Sequence, residues 1–393
     1  MKNKTDSKIL FITPGASRAG GNIFLFNFLK WFKQNSDIPF LTVYGHGGEL
    51  EEDFKSLSKT FKFNYEPRPE SFYSRTTSAI FRRVKWRERL LARQIATEKI
   101  NLIYANAVTN HQILAALPDL RAPVISHCHE LESVIHRTGL AGFEQTKKRT
   151  SHFIAVSEAV RKNLIENHGV PFEKISLAHG FIPIESFSAA ELEQKNKKIR
   201  RQLGIPGNAF VVGASGTMYW RKAPEIFVQI AAAVHRLKPD LPIYFLWVGG
   251  AEKGDFRFFE MEYDVKKLGL EKYVRFLEHK PNPMEYYAAL DVFAMVSRED
   301  PYPLVCLETA SLGKPIICFA DAGGMPEFVE NDSGFIVSYL DIEAFAGRIS
   351  ELYANPGLRE KMGARAALKV RERHDILTSA PGIVRVINKV LNG

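Results

Sequence analysis

Residues Ser297–Val329 read SREDPYPLVCLETASLGKPIICFADAGGMPEFV, and the fold and chemistry of the chain are most legible there. Asp300 and Glu308 stand eight positions apart, with the apolar turn Leu304-Val305-Cys306-Leu307 between them. The pattern predicts a helix opening near Pro303 that carries Glu308 early, then a strand from Pro315 to Phe319. A Gly-Gly turn at Gly323 and Gly324 follows, and a second helix starts at Pro326-Glu327. Carboxylates suit hydroxyl-rich ligands, because each accepts several hydrogen bonds. Glycine amides and helix N-termini suit phosphates. One short segment therefore offers both halves of a site for a sugar joined to a diphosphate.

Working outward, continuous apolar strands alternate with helices on both sides of this segment. The first half gives strands at Lys8–Thr13, Phe40–Tyr44, Leu102–Ala105, Val124–His127 and His152–Val156. The second gives Ala209–Gly213, Ile243–Val248, Tyr273–Leu277, Asp291–Val296 and Pro315–Phe319. Uninterrupted apolar strands separated by helices indicate parallel sheets covered on both faces. The same strand–loop–helix opening occurs twice, through GASRAGG (residues 15–21) and GASGTMYWRKA (residues 213–223). The expected fold class is α/β, with two doubly wound Rossmann-like domains facing a central cleft. A length of 393 residues accords with two domains, and the boundary is expected between Pro183 and Arg200, where EQKNKKIRRQ is polar. The expected limits are 1–185 and 200–377.

Composition narrows the class further. The three cysteines, Cys128, Cys306 and Cys318, have no metal-ligand spacing and fit a reducing compartment. No apolar run approaches the roughly 20 residues of a membrane span, and the N-terminus lacks a signal-peptide core. A cytoplasmic location is expected. The formal charge of +9 favours an anionic partner. Neither glycine-rich loop gives Gly-x-Gly-x-x-Gly with an acid about 20 residues on, and no Walker loop occurs, which argues against dinucleotide and ATP chemistry.

The 297–329 segment resembles the donor-site signature of glycosyltransferase family 4, the retaining enzymes of GT-B architecture. That signature reads Ser-x-x-Glu-Pro-Phe-Gly, then Glu after four residues, then Gly-x-Pro, then Gly-Gly-x-x-Glu. Ser297, Pro301, Glu308, Gly313, Pro315, Gly323, Gly324 and Glu327 match. Asp300 stands where the first Glu belongs, Tyr302 replaces Phe, and Pro303 replaces Gly. The resemblance implies a hexosyltransferase-type enzyme that moves a sugar from a nucleotide-diphosphate sugar to a glycan or lipid-linked acceptor, with no cofactor, no metal and no nucleic acid. It places Glu308 on the ribose diol and Asp300 on a sugar hydroxyl. Leu304, Val305, Gly323 and Gly324 would border the donor, and the final helix, about 378–393, would return to the first domain.

Other residues join the candidate site. Arg221 and Lys222 end the second loop before a helix with Pro224 in its first turn, so two cations lie beside helix amides. The resemblance makes Lys222 the diphosphate lysine; Ala223 replaces the usual Gly. Gly216 lies in the same loop. His129, in VISHCHELES, follows a strand of the first domain, and the resemblance implies a histidine here that reaches the donor sugar, with His127 as its rival. Gly20 and Gly21 permit close approach of a ligand to the backbone. Ser157 is at least an N-cap, with Arg161 after it, and the resemblance implies that Glu278, His279 and Lys280 edge the nucleobase. The retaining reaction implied is a front-face displacement, in which the departing diphosphate helps deprotonate the acceptor. A GT-B sugar-nucleotide epimerase and a non-catalytic sugar-nucleotide-binding protein are the alternatives.

Between Arg75 and Arg93 the chain carries seven basic residues, with Glu88 the sole acid. Ile80, Phe81, Val84, Leu91 and Ile95 recur near helical spacing, with Trp86 on the basic side. That combination predicts an amphipathic helix for an anionic membrane surface, and so a peripheral position at the inner membrane face.

Overall fold

A computed structural model describes residues 7–63, 88–117, 120–250 and 254–392. The chain divides into two compact units, Met1–His179 with Ser379–Gly393, and Gly180–Thr378.

Among the described residues the first unit has seven strands: β1 (Ile9–Gly15), β2 (Phe40–His46), β3 (Lys59–Lys62), β4 (Leu102–Asn106), β5 (Val124–Cys128), β6 (His152–Ala155) and β7 (Ile175–Leu177). Their order is β3-β2-β1-β4-β5-β6-β7, and every pairing is parallel. The strand order reverses direction between β1 and β4, which is where doubly wound sheets bind ligands, beyond the carboxyl ends of the strands. Helix α1 (Gly20–Asn35) leaves β1 and buries Phe24, Leu25, Phe28, Leu29 and Phe32 along one face.

The second unit repeats the plan with β8 (Phe210–Ser215), β9 (Ile243–Val248), β10 (Val274–Leu277), β11 (Val292–Met295), β12 (Ile316–Phe319) and β13 (Gly334–Val337), ordered β10-β9-β8-β11-β12-β13 and parallel throughout. All six residues of β9, IYFLWV, are buried, as a sheet covered on both faces requires. Here the reversal falls between β8 and β11. Three helices matter below: α2 (Pro224–Leu237), α3 (Phe256–Lys267) and α4 (Leu304–Ser311).

Three strands, β3, β7 and β13, were not expected from the sequence. Each has three or four residues, and β3 and β7 form the two edges of their sheet, as β13 forms an edge of the other. The polar run EQKNKKIRRQ, expected as the boundary, is the body of a helix, Ala189–Gln202, within the second unit. A capping box of Ser188 and Glu191 starts that helix. Arg200 near its end is buried, donating to the carbonyl oxygens of Ala289 and Ala209 and pairing with Asp291 at 2.8 Å. The division falls ahead of this helix, after His179.

Candidate functional site

In the second unit the candidate residues gather at the carboxyl end of the sheet, where β8 and β11 part. β8 ends at Ser215, whose hydroxyl lies 2.8 Å from both the Val248 carbonyl and the Tyr287 hydroxyl. Gly216 follows at φ +149°, and a Cβ there would stand 3.1 Å from the Lys222 side chain, so glycine lets that lysine cross the loop. The loop ends at Ala223, which takes left-handed angles (φ +56°, ψ +53°) directly before α2. Glycine adopts that geometry without strain, which is the physical sense of the glycine in the family signature.

Lys222 and Arg221 converge on one carboxylate. Lys222 Nζ donates to Asp300 Oδ2, Arg221 lies 3.5 Å from the same oxygen, and Ser297 Oγ is also 3.5 Å from it. Arg221 further donates to the Glu299 carbonyl at 2.9 Å, tying the two loops together. Asp300 is buried, only 4% exposed, whereas Glu299 is half-buried, so Asp300 is the inward acid. Two cations around one carboxylate leave a net positive charge, and that surplus is available to an anionic ligand. A small recess bounded by Ser215, Lys222, Asp300, Pro303 and Val305 opens beside the cluster.

The turn at 323–324 backs the Asp300 loop. Gly323 has φ +125°, and a Cβ there would lie 1.7 Å from the Asp300 carbonyl oxygen. Asp300 N–H donates to the Ala322 carbonyl at 2.7 Å, and Gly324 N–H donates to the Asp300 and Pro301 carbonyls at 3.2 and 3.1 Å. Gly324 thus spends its own amide on the Asp300 loop. The two glycines hold Asp300 in place. Pro303, in the place of the signature glycine, is extended (φ −70°) and precedes α4 as its cap residue. The amides of Leu304 and Val305, first in α4, have no acceptor within their own helix. Tyr302, in place of Phe, is buried, and its hydroxyl lies 3.2 Å from His374 Nε2.

Glu308 stands on the second turn of α4. Burial, and then the charge of Glu185, push its carboxyl up to about 7. Nearby Tyr287 is driven well above its ordinary value by burial and, secondarily, by the Glu308 charge. The charged form of Glu308 is the one that donors of hydrogen bonds, such as ligand hydroxyls, would stabilise. Glu278 and His279 follow β10, at the same end of the sheet but two strands from β8.

In the first unit His129 follows β5. Its Nε2 lies 2.9 Å from Asn106 Oδ1, and Asn106 donates through Nδ2 to the Gly21 carbonyl at 2.9 Å. The amide orientation makes Oδ1 an acceptor, so His129 carries its proton on Nε2 and keeps Nδ1 as the basic nitrogen. Burial holds its pKa down at about 3, so the ring is neutral. Gly21, in the first turn of α1, sits against this group: a Cβ there would be 3.9 Å from Asn106 and 4.0 Å from His129. Gly20 is exposed, with open space beside its α carbon. His127 is fully buried, and its Nδ1 lies 2.6 Å from the Tyr104 hydroxyl, which marks it as a core residue. Ser157 caps its helix through Val160 N–H at 3.1 Å, and Arg161 pairs with Glu158.

Sequence reasoning missed Asn106 and Glu130. Asn106 ends β4 at the point where strand order reverses, and that position was the available signal. Glu130 accepts from the backbone N–H of His129 and of Val108 at 2.9 and 3.1 Å, fixing the loop that carries the histidine. Most of the basic segment 75–93, including Trp86, lies outside the described residues. Among the described residues no helix is long and apolar enough to cross a membrane.

Two parallel-sheet α/β units of this strand order define the GT-B fold, and solved structures agree. An Anabaena protein, HepE, solved with UDP and glucose, matches with a TM-score of 0.79 at 22% identity over 97% of this chain and 99% of that one. Sucrose-phosphate synthase from Thermosynechococcus elongatus matches with a TM-score of 0.76 at 17% identity over 98% and 99%. Residues 195–369 match the family described as glycosyl transferases group 1, and residues 39–186 match glycosyltransferase family 4. The chain belongs to this glycosyltransferase family. Among curated relatives, D-inositol 3-phosphate glycosyltransferase of Corynebacterium urealyticum is 34% identical over 47% of this chain and 44% of its own length. The Corynebacterium kroppenstedtii protein of the same name is 26% identical over 68% and 63%. The chain therefore spans about half the length of the curated relatives it matches.

Proposed function

We propose that this chain is a retaining glycosyltransferase that takes a sugar from a nucleoside-diphosphate donor and passes it to a hydroxyl of a glycan or lipid-linked acceptor. The observation that carries the reading is the cluster of Lys222, Arg221 and Asp300 at the strand-order reversal of the second unit, with Glu308 raised to about 7 on the adjoining helix. Solved relatives hold UDP or UDP-glucose, which supports a nucleotide-sugar donor here.

The roles follow from charge. The donor's diphosphate is an anion, and it gains negative charge as the bond from the sugar's anomeric carbon to the phosphate oxygen breaks. Lys222 and Arg221 meet that charge, and stabilisation that grows toward the transition state raises turnover rather than affinity alone. Asp300 keeps the lysine oriented and offers its carboxylate to a sugar hydroxyl. Glu308 accepts hydrogen bonds from the ribose diol. The acceptor oxygen attacks the anomeric carbon on the face the phosphate leaves, and its proton passes to the departing phosphate oxygen. The products are the glycoside and a nucleoside diphosphate. The residues invoked need no metal, and the cytoplasmic face of the membrane suits such an acceptor.

The test is incubation with a panel of UDP-, GDP- and dTDP-sugars with candidate acceptors, following nucleoside diphosphate release and the anomeric configuration of the product by NMR. Retained configuration supports the proposal. An inverted product, or an epimerised sugar released without acceptor, contradicts it.

A further inference from the structure

The second unit carries an aromatic groove that the donor site does not use. Helix α3 buries Phe258, Met261 and Val265 against the core, so Phe256, Phe259 and Tyr263 lie on its outer face. They are 69%, 57% and 49% exposed, and neighbouring ring centroids are 6.0 Å apart. Across from them stands Trp220, 62% exposed, on the loop that also carries Arg221 and Lys222. Trp220 is held in place by Arg298, whose guanidinium lies 5.4 Å from the indole, donates to the Trp220 carbonyl at 2.9 Å and pairs with Glu225. Between helix and loop is an open groove of about 530 Å³ lined by Trp220, Glu225, Phe259, Glu260, Tyr263 and Asp264, with Met261 at its floor.

The lining chooses among ligands. Among the described residues it joins aromatic rings to three carboxylates, with Lys267 over the Tyr263 ring at 5.2 Å and Arg298 over Trp220 as the cations at its edge. Phosphates and anionic lipid headgroups are repelled by Glu260 and Asp264. On α3 Arg257, Lys266 and Lys267 are balanced by Glu260, Glu262 and Asp264, so the helix has no basic surplus for an anionic membrane. Arg257 is already committed to Asp255. Sugar rings suit this lining: their C–H faces pack on aromatic rings, and their hydroxyls donate to carboxylates. Exposed aromatics four residues apart on one helix face present adjacent rings, as successive sugar units require.

We propose that this groove binds a neutral oligosaccharide, as a second glycan site separate from the Lys222–Asp300–Glu308 cluster. None of its lining residues belongs to that cluster, and the proposal stands whether or not the donor reading holds. It would tether a polymeric glycan to the unit that also carries the donor residues.

The test is calorimetric titration of the full chain with hexasaccharides of glucose, galactose, mannose and N-acetylglucosamine, alongside the Phe259→Ala/Tyr263→Ala double variant. At least one hexasaccharide should bind the wild-type chain, and the double variant should weaken it about tenfold or more, with nucleotide-sugar affinity unchanged. Phe259→Tyr/Tyr263→Phe, which keeps both rings, should bind as wild type does. The proposal is overturned if none of the four binds at millimolar concentration, or if the double variant binds as tightly as wild type. It is also overturned if the same double variant instead loses sedimentation with phosphatidylglycerol vesicles, which would make the surface a lipid contact.

Discussion

Donor binding should depend on pH through Glu308. In the ligand-free protein burial holds this carboxyl near a pKa of about 7. If the ribose diol donates to it, the charged form is favoured, so binding must release the proton that free Glu308 holds below neutrality. At pH 6 a group with this pKa is about 90% protonated, and ionising it costs about 1.4 kcal/mol, or roughly tenfold in affinity; at pH 8 the cost falls to about 0.1 kcal/mol. Donor affinity should therefore rise about tenfold from pH 6 to pH 8. The diphosphate of a nucleotide sugar has no proton that titrates in this range, so the slope belongs to the protein. Calorimetry in buffers of different ionisation enthalpy should show release of close to one proton at pH 6. Glu308→Gln should bind more weakly at pH 8 and lose the pH dependence. A flat profile in the wild type, or the same slope in Glu308→Gln, would refute the assignment. Stability gives an independent check of sign: a raised acid binds a proton that the unfolded chain releases, so its contribution falls as pH climbs from about 4.5 to 7. Glu308→Gln should thus melt higher than wild type at pH 8 and match it at pH 4.5.

Asp300→Asn should lower transfer far more than Glu299→Gln, because Asp300 is the buried acid bound by Lys222; the reverse ranking in steady-state kinetics would reassign the sugar-facing acid. Lys222→Ala should reduce kcat more than donor affinity, and equal losses would make Lys222 a binding residue only. Gly323→Ala should destabilise by several kcal/mol, since its Cβ would fall 1.7 Å from the Asp300 carbonyl oxygen and its φ is +125°; a denaturant midpoint like wild type would show that the 300 and 323 loops are not locked together. Activity should survive exhaustive EDTA treatment, and loss restored by manganese would contradict the charge-neutralising role given to Lys222 and Arg221.

The fully buried strands were readable because a parallel strand covered on both faces is apolar at every position, as in β9 and β12. The edge strands β3, β7 and β13 were not, since three or four half-exposed residues carry no period distinct from a loop. The polar helix 189–202 reads as a boundary because its apolar content is low, although Ser188 with Glu191 forms a capping box that marks a helix start. At the candidate site, residue type and spacing singled out Asp300, Glu308 and Lys222. They did not reveal that Lys222 and Asp300 pair with each other, nor that the Gly324 amide is consumed by the Asp300 loop. Those facts depend on which loops meet in space. Asn106 escaped notice for the same reason: it acquires meaning only through His129 and Gly21, brought to it from two other elements.

The central claim is that the second unit holds a nucleotide-sugar donor through Lys222, Arg221, Asp300 and Glu308. A crystal structure of the chain with a bound nucleotide sugar tests it most directly. The account predicts the Glu308 carboxylate within hydrogen-bond distance of both ribose hydroxyls, the diphosphate against Lys222 and Arg221, and a sugar hydroxyl on Asp300. A nucleotide bound elsewhere, or ribose hydroxyls that contact solvent and leave Glu308 unpaired, would contradict it.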